Sequence, residues 1–486
     1  MIGFDTLVSM ANTKETAVTK RDEALAKIDD YFDSGHFEKE LARRIAYKTE
    51  SNLTGCETAL ASYLEDEMIP YLVELDFECE TYPNPRQDAG PFLVARRNES
   101  DDLPTVMTYG HGDVVAGYDG QWDNDMNPWV ITKRDNRWYG RGTADNKGQH
   151  TINLAALKSV LETRESLGFN VILLIEMGEE RGSPGLKDFC ALHKDLFQAD
   201  VFIASDGPRI HPDKPTIFMG SRGVFNFIMQ LNVHDGGHHS GNWGGLLTNP
   251  GVVMANAIAS MIDKNGKILV EGWRNTNIPG SVRSAIAKLE VGEGENTPQI
   301  NPFWGEPDMT PGERVFGSNT FEVRAFETGN PKSPANAIPP SAVVYGHLRY
   351  VVGTQVDQLM PLLRVHLDRH GFQDIEIISE RDPMYATRLD PDHPWTQWAI
   401  ASLNKTNGEN ISVLPNLGGS LPNDVFADVL GLPTIWVPHS YAGCSQHAPN
   451  EHILEGTTRS ALRLMTGLWW DLGAGNAPKH AKNVSQ

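Results

Sequence analysis

The segment EMGEERGSPG, residues 176–185, directly follows the apolar run NVILLI and places Glu179 and Glu180 side by side. Adjacent carboxylates at the end of a buried strand repel each other and lose hydration, so they call for a compensating cation. Three other runs end in metal-ligand chemistry. TVMTYGHGD reaches His111 and Asp113, VFIASD reaches Asp206, and PTIWVPHSYAGCSQH leads to His447. Asp145, in YGRGTADNKG, stands where a glycine-rich loop turns into a helix. In open α/β sheets ligands collect beyond the carboxyl ends of the strands, so distant segments can meet in one crevice. Two imidazoles with several carboxylates suit a pair of divalent ions, and one carboxylate can bridge the two. One of the adjacent glutamates then binds a metal while the other is left to take a proton from a water.

The elements that must position these groups show in the hydrophobic pattern. Residues 14–50 carry helical apolar spacing at Ala24, Ile28, Tyr31, Phe32, Leu41 and Ile45, which predicts amphipathic surface helices. From about 55 to 210 short β-rich runs alternate with helical stretches such as KGQHTINLAALKSVLETR, the signature of an α/β layer with a mostly parallel sheet flanked by helices. Near 217 the texture changes. RGVFNFIMQLNVH and AVVYGHLRYVV alternate like half-exposed strands, and GVVMANAIASMI and VDQLMPLLRVHLDRHG read as helices. After about 382 the first texture returns. The expected organisation is a catalytic domain split between 1–216 and 382–486, with a smaller α+β lid and dimerisation domain inserted at 217–381. The tail NAPKHAKNVSQ is expected to be loose.

The chain has 486 residues, 40% hydrophobic and 22% charged, the balance of a soluble globular protein too long for one ordinary core. Its net charge of -21 argues against nucleic acid or an anionic membrane as a general partner. No apolar run is long enough to span a bilayer, and the first residues have no basic start followed by an apolar core, so no secretion signal is expected. Cys56, Cys79, Cys190 and Cys444 form no CxxC pair, which fits a reducing cytoplasm. The glycine-rich GRGTADNKG lacks phosphate-loop spacing, which excludes that mode of nucleotide binding.

The stretches GHGDVV, WYGRGTADNKG, EMGEERGSPGL, ASDG, HHSGNWGG, NAIPP, LGGSLPNDVF and CSQHAPNE, running in order from about 105 to 452, resemble the M20 metallopeptidases, especially the cytosolic carnosinase-like dipeptidases. The resemblance implies that Asp145 bridges two metal ions, His111 and Asp206 complete one site, and Glu180 and His447 complete the other. Glu179 becomes the general base, and Asp113 orients His111 from behind. It also implies a cis peptide between Asp145 and Asn146, although Asn146 stands where that branch usually has a second aspartate. In the lid, His239 corresponds to a histidine that reaches the active site of a partner subunit. Arg349 corresponds to the arginine that holds a substrate carboxylate, and Asn336, Gly419 and Ser420 to other substrate contacts.

The expected function is hydrolysis of peptide bonds in small substrates by a homodimeric, two-metal enzyme. Zinc is taken first, with manganese or cobalt also compatible with imidazole and carboxylate ligands. Deacylation of N-acyl amino acids is the alternative within the same chemistry, and a catalytically silent metal-binding protein is the alternative outside it. Singly, Asp145 suits a helix cap, Asp206 a turn, and Arg349 a surface cation. Their joint occurrence in this order is what favours a site. His150, His193, His211, His234, His366, His370, His393 and His452 are read as ordinary structural or surface histidines.

Overall fold

The computed structural model describes residues 19–292, 298–380 and 383–478, so the first 18 residues and most of the tail lie outside it. Eight strands form the larger sheet, in the order Glu78–Tyr82, Phe92–Arg97, Asn170–Glu176, Thr105–His111, Val201–Ala204, Thr434–Trp436, Thr216–Phe218 and Ser412–Leu414. The central four run parallel. Phe92–Arg97 is antiparallel to Asn170–Glu176, and Thr216–Phe218 is antiparallel to Thr434–Trp436.

Every residue of Asn170–Glu176 is buried, as expected of a strand covered on both faces. Its side chains divide with period two between separate cores. Val171, Leu173 and Ile175 join one, and Ile172 and Leu174 the other. Neighbouring strands follow suit, with Ile203 and Ile435 on the first face and Phe202 and Trp436 on the second. Each such buried aliphatic side chain contributes about 1.5–3 kcal/mol, so a one-residue slip of register would move every one of them into the wrong core. Helix Lys147–Arg164 crosses the first face and packs against Lys20–Asp33 and Glu455–Asp471. The N-terminal helices therefore lie on the surface as the pattern predicts, with Ala24, Ile28, Phe32, Leu41 and Ile45 turned inward.

Residues 223–379 build a second, four-stranded antiparallel sheet in the order Thr320–Thr328, Ser341–Tyr350, Gly223–Asn232 and Glu376–Ser379. Ser341–Tyr350 alternates strictly between buried and half-buried positions. Helices Pro250–Met261 and Leu359–Arg369 supply Met254, Met261, Leu359, Leu363 and Leu367 to the core beneath it. Part of this segment folds back, because Ile278, Val282, Ile286 and Phe316 join the second core of the larger sheet. The two connections between sheets run side by side, with Thr387 N–H donating to Ser221 O at 3.0 Å and Leu389 N–H to Met219 O at 2.7 Å. Among the described residues no helix is long and apolar enough to cross a membrane, and all four cysteines are free.

Candidate active site

The parallel strands deliver the site at their carboxyl ends. His111 is the last residue of Thr105–His111, Glu179 and Glu180 open a short turn three residues after Asn170–Glu176, and Asp206 follows Val201–Ala204 by two. Asp145 arrives on the turn before helix Lys147–Arg164, and His447 on a loop after Thr434–Trp436. The turn that carries Asp145 folds tightly on itself. A Cβ at Gly148 would come within 1.9 Å of the Thr143 carbonyl oxygen, so glycine is required there. The Asp145–Asn146 peptide is cis.

Asp145 joins the two imidazoles. Its Oδ1 lies 2.9 Å from His111 Nε2 and its Oδ2 3.0 Å from His447 Nε2. The aspartate does not cap its helix, since its carboxylate faces the histidines. His447 Nε2 also lies 3.0 Å from Glu180 Oε2. Around His111 Nε2 stand Asp206 Oδ2 at 3.7 Å and Glu179 Oε2 at 4.0 Å. Asp113 works from behind. Its backbone oxygen lies 3.0 Å and its Oδ1 3.4 Å from His111 Nδ1, which leaves Nε2 pointing inward. The same carboxylate accepts the N–H groups of Glu179 at 3.1 Å and Glu180 at 3.2 Å, and the Ser51 hydroxyl at 2.7 Å. One buried side chain thus sets both the imidazole and the turn that carries the two glutamates.

The charges require company. Burial pushes the carboxyl pKa of Glu180 and of Asp206 up to about 7, and that of Glu179 well above the ordinary range, with neighbouring carboxylates adding to the rise. Burial would raise Asp145 too, but its bonds to His111 and His447 hold it well below the usual carboxylate range. His447 is lifted to about 11 by Asp145 and Glu180. Asp206 Oδ2 is buried without a hydrogen-bond partner. An orphaned carboxylate oxygen among like charges fits a site built for cations. His111, Asp145 and Glu180 each offer an atom within 4.8 Å of the others, close enough to gather around a metal centre with Asp145 common to both sides of it.

The remaining predicted residues form two smaller groups. Arg349 Nη1 donates to Ser420 Oγ at 2.6 Å, and that hydroxyl donates to the Arg222 carbonyl at 2.6 Å, with Gly419 next in the chain. His239 and Asn336 meet where His238–His239 pairs with Ala337–Ile338, and Ser240 donates to the Asn336 carbonyl from both N–H and hydroxyl. His239 is exposed, its Nδ1 accepting the Gly241 N–H at 3.1 Å. Among the described residues, neither His239 nor Asn336 makes a hydrogen bond or ion pair with the carboxylate cluster of its own chain.

Three contributors escape a reading of the sequence. Glu451 is buried under the turn that carries Asp145. It pairs with Arg141 at 2.6 Å and accepts the N–H groups of Gly142, Ala144 and Asp145 at 2.9–3.1 Å. Gln446 Nε2 donates to Asp145 Oδ2. His150, read as structural, lies directly behind the site, bonded to Tyr63 OH at 2.6 Å and to Asn146 Oδ1 at 3.2 Å. Glu451 closes the stretch CSQHAPNE, and its place four residues after His447 was the one available signal.

Removing Glu451 strands Arg141 as a buried cation and frees the Asp145 turn. Glu451→Ala is expected to cost about 3–5 kcal/mol of stability and to weaken metal binding about 10–100-fold. Denaturant unfolding and competition against a metal indicator measure the two effects. Parental values in both would show that Glu451 positions nothing.

The model of "Peptidase family M20/M25/M40" matches residues 107–471, the span that holds every member of the cluster. Over 350 residues the chain is 27% identical to a cysteinylglycine-S-conjugate dipeptidase of Corynebacterium striatum, covering 70% of this chain and 74% of that one. It is 25% identical over 392 residues to the human β-Ala-His dipeptidase, covering 76% and 75%. Among solved structures, an M20 family metallo-carboxypeptidase of Sulfolobus solfataricus superposes with a TM-score of 0.77 at 24% identity, covering 90% of this chain and 99% of that one.

Proposed function

This chain belongs to peptidase family M20/M25/M40 and is a metallopeptidase, and from that premise we propose that it hydrolyses dipeptides with Glu179 as general base and two divalent ions as cofactors. The observation that carries the proposal is the span of Asp145, one carboxylate oxygen within 3.0 Å of each imidazole. His111, Asp145 and Asp206 are suited to hold one ion, and Asp145, Glu180 and His447 the other. Zinc suits these ligands first, manganese or cobalt next. When bound, such ions lower the pKa of a water and polarise a carbonyl. Glu179, whose N–H is fixed by Asp113, takes the proton of the attacking water and delivers it to the leaving amine. Arg349, oriented by the Ser420 hydroxyl that accepts from its Nη1, holds the free carboxylate of the substrate, a task suited to the planar guanidinium fork. Both curated relatives are named for dipeptides, which favours that substrate class.

The test is to chelate the protein, restore zinc, manganese or cobalt singly, and assay unblocked dipeptides beside N-acyl amino acids. Activity is expected to vanish on chelation and return with metal, with dipeptides turned over at least ~10-fold faster, a barrier difference of about 1.4 kcal/mol. Turnover confined to N-acyl amino acids would make the protein a deacylase. Full metal loading with no amide hydrolysis would leave only a metal-binding role.

A homodimer fits the exposed lid. Thr320–Thr328 is an edge strand with Val323 and Phe326 exposed, and helix Pro250–Met261 exposes Val252. Pairing such edges between two copies covers unpaired backbone and apolar surface together. It would also give His239, which touches nothing of its own cluster, a neighbouring site to enter. Four free cysteines in a chain of this size accord with a cytoplasmic location.

A further inference from the structure

A cavity of about 670 Å³ is lined by residues 181–185, which follow the catalytic glutamates in the chain, and by none of the cluster's histidines or carboxylates. Its walls come from four segments. The loop at 84–90 is fastened to the turn by Asn84 Nδ2, which donates to the Pro184 and Gly90 carbonyls at 2.9 Å each. Residues 383–385 belong to the connection returning from the smaller sheet, and Met384 bridges Val224, the second residue of that sheet's strand Gly223–Asn232. Pro422 and Asp424 lie just beyond Ser420. The cavity therefore adjoins the catalytic turn, the connection to the lid and the carboxylate clamp at once.

Its charges are of both signs. Arg86 pairs with Asp188 at 3.4 Å and Arg181 with Asp88 at 3.0 Å, and both aspartates are well exposed, with side chains 56% and 76% accessible. Such surface pairs are weak. Asp424 differs, being 7% exposed, and burial lifts its pKa to about 6 although Lys187 opposes the rise. Lys187 Nζ stands 5.0 Å from the centroid of the Tyr385 ring, across the same cavity. Asp424, whose carboxylate also takes a backbone hydrogen bond from Tyr385, and the exposed ammonium of Lys187 line one space beside an aromatic ring, a set that complements a small zwitterion.

We propose that this cavity binds a free α-amino acid, its ammonium on Asp424 and its carboxylate on Lys187, and that the bound molecule restrains the lid connection against the catalytic turn. The choice of occupant rests on the proposed hydrolysis of dipeptides, which releases amino acids. Occupancy would then slow turnover in a way that added substrate does not relieve.

The probe is labelled L-alanine, measured by equilibrium dialysis on the full-length, metal-loaded chain carrying Arg349→Met, which removes the carboxylate clamp. One saturable site per chain is expected, weakened at least ~10-fold by Asp424→Asn and by Lys187→Met. Lys187 is exposed, so the second variant remains informative if the first fails to fold. In the otherwise unaltered enzyme, the part of the alanine inhibition that substrate cannot relieve should disappear with Lys187→Met, while activity without alanine stays unchanged. Absence of saturable binding, or binding indifferent to both substitutions, overturns the site. Dialysis requires no turnover, so a protein that binds alanine but cleaves no dipeptide would refute the catalytic reading and leave the cavity standing.

Discussion

Glu179→Gln is expected to lower kcat by about 10²–10⁴-fold, the range for loss of a general base, while the protein keeps its full complement of metal. The two effects separate because the adjacent glutamates face different neighbours. Glu180 Oε2 reaches His447 Nε2 at 3.0 Å, whereas the nearest imidazole nitrogen to Glu179 Oε2 is that of His111 at 4.0 Å. Glutamine preserves the size of the side chain, and the backbone N–H that Asp113 holds at 3.1 Å is unaffected. Only the capacity to accept and return a proton is lost. Elemental analysis of the purified variant reads metal content, and initial rates on an unblocked dipeptide read turnover. Near-parental kcat would remove Glu179 from the role. Loss of an ion together with activity would exchange the roles of the two glutamates. Glu180→Gln, run in parallel, is expected to lose metal first and activity as a consequence.

This contrast was half legible in the sequence. VILLI, residues 171–175, is apolar at every position, a pattern that a strand covered on both faces demands, and Glu179 and Glu180 follow it after Glu176, Met177 and Gly178. That alone places a charged pair at a strand's carboxyl end. The same logic found His111, Asp206 and Asp145, because each interrupts or ends an apolar or glycine-rich run. Glu451 and Asp424 could not be found this way. Both lie in polar, proline-containing stretches where a carboxylate looks ordinary, and each acquires its meaning from segments hundreds of residues away. The antiparallel edges of the sheet were hidden for a related reason. Glu78–Tyr82 is mostly exposed and has no buried face to announce it, so only its pairing with Phe92–Arg97 defines it. The change of texture near 217 falls within the short strand Thr216–Phe218, and the smaller sheet begins at Gly223.

His239→Ala is expected to reduce kcat by about 10²–10³-fold, the cost of removing one donor aimed at a developing oxyanion, with metal content unchanged. Within its own chain the imidazole is exposed and makes no hydrogen bond to the cluster, so a catalytic role requires a second copy. That requirement yields a sharper experiment than the single variant. Chains carrying His239→Ala retain Glu179, and chains carrying Glu179→Gln retain His239. If the site is shared, a mixed dimer contains one site with Glu179 from the first chain and His239 from the second. Its other site lacks both. With random exchange half the dimers are mixed and half their sites are competent, so the mixture should recover about one quarter of parental activity. Each variant alone should stay at its own low rate. A site complete within one chain predicts no recovery, because every site then carries one of the two lesions whatever its partner. Sedimentation of the same mixture confirms that dimers are present, and native mass spectrometry with one variant isotope-labelled confirms that they exchange, so a flat result under those conditions would return His239 to the surface of the smaller domain.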